Sequence, residues 1–134
     1  MNQPPHVPFL SLFVPDLAAA TQRYEAVFGV APSPDDGAPP SPHPYAAAGP
    51  VVFDLGGLKL ALYQCDGKTT HPGDVGIGIV TDGPPDGIAR RAAQHRGQVF
   101  YGPRELPTDG RSMAVFMLPD RHFFEVMSAP DADA

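Results

Sequence analysis

The same order of elements occurs twice in this chain. Residues 7 to 14, "VPFLSLFV", alternate so that Leu10, Leu12 and Val14 face one way and Phe9, Ser11 and Phe13 the other, the period of a strand. Asp16 then caps "DLAAATQRYEAVFG", where Leu17, Ala20, Tyr24, Val27 and Phe28 fall at helical spacing and Gly29 supplies the stop. After a Pro-rich stretch come "VVFDL" and "LKLALYQ", joined through Gly56-Gly57 as a hairpin. The order returns from residue 74: "DVGIGIV" is a strand, and "PPDGIARRAAQHRG" is a helix with Ile88, Ala92 and Ala93 on one side and Gly97 as its stop. "QVFYG", "SMAVFML" and "HFFEVM" are strands, the last two separated by the turn "PDR". Strand, helix, then two or three strands, repeated at a period of about 65 residues, reads as an internal duplication.

The stretch between the first helix and the hairpin, "APSPDDGAPPSPHPYAAAGP", cannot be a regular element, because its prolines remove donors and fix φ; it is expected as an extended surface loop. The 134 residues suffice for one ordinary domain over 1–134, with modules at about 7–65 and 74–127 and a flexible tail at 128–134. A net charge of -6 argues against nucleic acid or an anionic membrane as partner, since both need clustered Lys and Arg. The N-terminus lacks the basic start and apolar run of a signal peptide, so a cytoplasmic protein is expected. With Cys65 alone, neither an internal disulfide nor a cysteine zinc site can form. "GIGIVTDG" is not a phosphate loop, because its glycines alternate within a strand, and "RRAAQHR" reads as a solvated basic helix face. No Ser/His/Asp or Cys/His nucleophile pattern is present.

Three stretches in this order, "LFVPDLAAATQRYEAVFGV", "VVFDLGGLKLALY" and "GPRELPTDGRSMAVFMLPDRHFFEV", resemble the vicinal oxygen chelate superfamily, the glyoxalase, bleomycin-resistance and ring-cleaving dioxygenase group. The third is similar to the family's C-terminal hairpin, G-R-S-x-x-F-x-D-P-D-G-N-x-x-E-L. The resemblance implies an α+β fold of two βαβββ modules, four strands to a module, forming a curled mixed sheet around a cleft with the helices outside. It also implies a homodimer. It says little about reaction, since the fold hosts isomerases, lyases, dioxygenases and drug-binding proteins.

Catalytic members of that family hold a divalent metal through cleft-facing His, Glu or Gln side chains on the first and last strands of each module. A metal site needs three or more converging donors with positions left open for substrate. Aligning the pattern H-x-x-L-x-V-x-D-L puts Phe9 at the first ligand position, and phenylalanine cannot ligate. The last strand of the first module offers Ala61, with Tyr63 as the next cleft residue. In the second module, counting back from Asp82 puts Val75 at the ligand position, whereas turning Val75, Ile77 and Ile79 toward the helix puts Asp74 there, beside Gly76 and Gly78; apolar alternation favours the second register. His122-x-x-Glu125 matches N-x-x-E, so Glu125 is the one family donor in place. His6, His71 and His122 sit near strand ends and read as exposed. No metal or other cofactor is therefore expected, a divalent metal being the alternative.

A carboxylate between Phe124 and Val126 costs free energy unless it is hydrogen-bonded or paired. It can pair with a positive group such as Arg111, donate when protonated, or await a cationic or hydrogen-bonding ligand; otherwise it is a relic bonded to cleft water. Next to Asp74 it would titrate as part of a pair. The remaining cleft positions, Phe9, Ser11, Phe13, Tyr63, Met113, Val115, Met117 and Phe123, are mostly aromatic or methionine, which suits a flat organic ligand, or else they simply fill the cleft. The expectation is a metal-free protein that binds an apolar or aromatic small molecule and serves resistance or sequestration. The alternative is a metal-dependent lyase or dioxygenase with an atypical ligand set, or a metal-free catalyst using Glu125 or Asp74 as base. A scaffold that binds partners through the Pro-rich loop is a third class.

Overall fold

The computed structural model describes residues 5–34, 43–46, 48–65, 75–106 and 110–129. The chain divides into two compact units, Pro8–Val75 and Gly76–Ala134 with Met1–Val7, called here the first and second modules. The described residues form seven strands and two helices.

In the first module β1 (His6–Val14) leads into α1 (Leu17–Phe28), followed by β2 (Val51–Asp54) and β3 (Lys59–Gln64). The strands lie in the order β2-β3-β1, with β3 parallel to β1 and antiparallel to β2. The Asp16 carboxylate accepts from Ala19 N at 3.1 Å, satisfying one of the donors a helix start leaves open, and Gly29 ends the helix at φ 68°. Gln64 ties the helix start to the sheet: its Oε1 accepts from Leu17 N at 2.9 Å and its Nε2 donates to the Pro15 carbonyl at 2.6 Å. Leu10, Leu12 and Val14 pack under α1 with Ala20, Phe53, Leu60 and Leu62, as the alternation requires. Burying each Leu or Phe there stabilises the module by about 1.5–3 kcal/mol. The helical stripe reaches only to Tyr24: Val27 and Phe28, expected on the same face, are 69% and 48% exposed. Gly56 and Gly57 turn the hairpin at φ 80° and 108°, conformations closed to most other residues.

Among the described residues, the first module has no full strand at one position. Where the resemblance implies a fourth strand beside β2, the described residues hold a single bridge, Ser33 to Val52, in which Ser33 N donates to the Val52 carbonyl at 2.8 Å. Pro32 and Pro34 flank it, and neither has an N–H with which to extend a ladder.

In the second module β4 (Val75–Thr81) precedes α2 (Asp86–Gln94), then β5 (Gln98–Glu105), β6 (Ser112–Met117) and β7 (Phe123–Ser128). This is a complete βαβββ unit in the order β4-β7-β6-β5, with β4 parallel to β7 and the other pairs antiparallel. Ala92, Phe116 and Val126 form its helix-side core, joined by Ile79, Ile88 and Phe124. Ala89 is buried in α2 and Ala93 is exposed, the reverse of what the apolar spacing suggested for Ala93. Ser128 closes β7, and Ala129 N donates to the Thr81 carbonyl at 2.8 Å, so residues 128 and 129, expected in a flexible tail, are held to the sheet; residues 130–134 lie outside the described part.

The stop of α2 also differs from expectation. Arg96, not Gly97, takes the left-handed conformation, at φ 71°; Gly97 N donates to the Ala92 carbonyl at 2.7 Å and Arg96 N to the Ala93 carbonyl at 3.3 Å, the paired bonds of a Schellman cap. Gly97 is needed for closeness, since a Cβ there would lie 2.7 Å from the Ala92 oxygen. Arg121 has the same strain at φ 75° in the β6–β7 turn, where Leu118 N donates to the His122 carbonyl at 3.1 Å. The family pattern P-D-G-N, which Pro119-Asp120-Arg121-His122 resembles, has glycine at that turn position. An L side chain in this region costs about 1–2 kcal/mol, part of which glycine returns through its freer unfolded chain. Arg96→Gly and Arg121→Gly are therefore each expected to raise stability by about 0.5–1 kcal/mol, read as a rise of a few degrees in Tm by calorimetry.

Candidate functional site

Each module has a sheet face turned away from its helix, and the polar groups worth explaining lie on these faces. In the second module, register places Gly76, Gly78 and Val80 of β4 beside Phe123, Glu125 and Met127 of β7, with Met117, Val115 and Met113 of β6 beyond them. Ile79 packs on the helix side, so the even-numbered residues of β4 share the face of Glu125, in the register that alternation favoured. Asp74 itself lies outside the described residues, as does His71.

Glu125 is fully buried, as are Met113, Val115 and Met127, and Phe123 is 2% exposed. An ideal Cβ on Gly76 would stand 2.6 Å from Phe123 Cε2 and 2.8 Å from Glu125 Oε1. The carboxylate and the ring thus occupy the space that a side chain on β4 would take. Arg111, just ahead of β6, is the buried cation among the described residues at 6% exposure, and its carbonyl accepts from Leu106 N at 2.6 Å.

In the first module the corresponding face holds Phe9, Ser11 and Phe13 of β1 against Lys59, Ala61 and Tyr63 of β3. Phe9, Ser11, Ala61 and Tyr63 are fully buried and Phe13 nearly so. Ser11 Oγ has no hydrogen-bond partner among the described residues, an arrangement that costs about 1–3 kcal/mol for a buried hydroxyl. Of the positions considered for metal ligation, Phe9 and Ala61 carry no donor, and Asp74 lies outside the described residues. Among the described residues no group of three His, Cys, Asp or Glu gathers to hold an ion.

His43 was not among the candidates. The loop reading put the whole Pro-rich stretch at the surface, but His43 is 2% exposed, its ring 4.6 Å from that of Tyr63 and edge-on to Phe13 at 5.0 Å. Its Nδ1 accepts from Tyr45 N at 3.1 Å, which leaves Nε2 as the nitrogen that carries hydrogen. No periodic signal marks a loop residue that packs on a distant strand. Met127 and Val52 were also passed over, although the alternation used for their neighbours assigns both to the helix-free faces. His6 is exposed, and so is His122, with Asp120 Oδ1 3.7 Å from its Nδ1 in the turn.

No protein-family model matches the chain, and a search of curated proteins finds no match. Solved structures do match over nearly the whole length. A glyoxalase/bleomycin resistance protein/dioxygenase superfamily member from Vibrio splendidus 12B01 superposes with TM-score 0.61 at 14% identity, covering 94% of this chain and 100% of that one. Methylmalonyl-CoA epimerase from Mycobacterium tuberculosis gives 0.64 at 12% identity over 95% and 89%. A protein described as NAD-dependent benzaldehyde dehydrogenase from Legionella pneumophila gives 0.63 at 14% identity over 93% and 98%. At such identities the likeness is one of fold alone.

Proposed function

We propose that this chain, which has the fold of the vicinal oxygen chelate superfamily, is a metal-free small-molecule binding protein whose ligand is a flat, largely apolar compound anchored by Glu125. The observation that carries this reading is Glu125 itself. Burying a carboxylate has an effective penalty of several kcal/mol, and β4 leaves the carboxylate its space by having glycine at 76. The surrounding Met113, Val115, Met117 and Phe123 offer deformable apolar surface, the kind that adapts to a ring system. Sequestration of a toxic aromatic compound is the role that asks least of such a site, since it requires no base, nucleophile or metal.

A second reading is favoured by one observation: Phe9, Tyr63, Met113 and Val115 are fully buried, which suits faces that are packing surface. The two readings separate in a thermal-shift screen of planar aromatic compounds, run beside elemental analysis of protein incubated with Ni, Zn, Fe and Mn. The expected result is a ligand that raises Tm by several degrees, whose affinity falls about tenfold in Glu125→Gln, with no metal retained at stoichiometric level. Silence across the screen would favour packing. Stoichiometric metal that is lost in Glu125→Ala would replace the binding reading with a metal-dependent lyase or dioxygenase.

A further inference from the structure

The helix side of the second module carries a concavity of its own. Ile88, Arg91, Ala92 and His95 recur at i, i+3, i+4 and i+7 along α2 and its C-cap, so they form one stripe, and they face Phe116 of β6 and Leu118 at the start of the β6–β7 turn. Together they line an open cavity of about 270 Å³. Its floor is apolar, with Ala92 and Phe116 at 6% and 4% exposure. Its rim carries the two basic side chains, Arg91 and His95, both exposed.

These two groups lack what surface bases in an acidic protein usually find. The chain has a net charge of -6, yet among the described residues neither Arg91 nor His95 makes an ion pair. The Arg91 guanidinium lies back along the helix, its Nη1 3.3 Å from where a Cβ on Gly87 would stand. An apolar slot edged by unneutralised donors complements an amphipathic anion, with its hydrocarbon on Phe116 and Leu118 and its acid group at the basic rim. The volume lies just below the roughly 300–1,000 Å³ of pockets for drug-sized molecules, which limits the occupant to one ring or a short chain.

We infer that this groove is a second ligand site, for a small aryl- or alkyl-carboxylate, on the sheet face opposite Glu125. It does not depend on the binding role assigned to Glu125. The test is a titration of ¹⁵N-labelled protein with 4-phenylbutyrate and, separately, with the neutral 4-phenylbutan-1-ol, followed by amide shifts. The expected result is saturable shifts at Ile88–His95 and Phe116–Leu118, with the alcohol about tenfold weaker and the acid about tenfold weaker on Arg91→Gln/His95→Gln. Both substituted side chains are exposed, and the dispersion of the variant's own spectrum checks its fold. The inference is overturned by equal affinity of acid and alcohol, by unchanged affinity in the variant, by shifts confined to Gly76 and Glu125, or by no shift at about 10 mM probe. Shifts in the groove that grow with protein concentration alone would assign it to a second copy of the chain and overturn it as well.

Discussion

Gly76→Ala is expected to destabilise the protein by about 1–3 kcal/mol, or more if β4 cannot move, and to do so by displacing Phe123 and Glu125 rather than by straining its own backbone. The added methyl would stand 2.6 Å from Phe123 Cε2, 2.8 Å from Phe123 Cζ and 2.8 Å from Glu125 Oε1, all inside normal contact. Phe123 is 2% exposed and Glu125 fully buried, so neither can swing outward at low cost. Because two of the three contacts are ring atoms, the loss should be coupled to the ring: in a double-mutant cycle with Phe123→Leu, the two changes together should cost at least about 0.5 kcal/mol less than their sum. Denaturant unfolding of the four proteins measures this. Strict additivity, or an alanine variant as stable as the parent, would mean that the crowding at Gly76 relaxes freely and that the glycine does not hold space for Glu125.

The second large effect falls in the first module. Tyr63→Ala removes a fully buried ring stacked on Phe13 at 5.7 Å and packed on His43 at 4.6 Å, a truncation of the kind that costs about 3–5 kcal/mol. The loss has a local signature. His43 is held to this face by the rings of Tyr63 and Phe13, so residues 43–46 should gain protease sensitivity in Tyr63→Ala well before global unfolding. Tyr63→Phe keeps both ring contacts and should leave that cleavage rate near the parent's. Cleavage rates that follow only the overall stability of each variant would show that the rings do not anchor the segment.

How far the sequence could be read is clearest at the positions where it misled. Alternation in β1, β3, β4 and β7 reported which residues face the helices, because a one-residue slip would turn every apolar side chain outward. Glu125 was singled out by its match to the family pattern N-x-x-E, and Asp16 and Gly29 marked the ends of α1 by local chemistry. Gly97 was the wrong terminator of α2 for an equally local reason: the left-handed residue of a Schellman cap sits one position before the residue that must approach the helix closely. His43, the Gln64 latch and the Ser33 bridge depend on partners 19 or more residues away, which no window of the sequence reveals. Asp74, on which a second carboxylate depends, lies outside the described residues.

The bridge at Ser33 has a consequence for the behaviour of the protein in concentrated solution. Neighbouring residues in a strand direct their N–H groups to opposite sides, so with Ser33 N turned toward Val52, positions 32 and 34 would offer donors outward, and both are proline. Another chain that approached this border of the first module would meet no N–H on Pro32 or Pro34 to pair with. The Pro–Ser–Pro segment thus disfavours intermolecular strand addition beside Val52, the first step toward ordered aggregates.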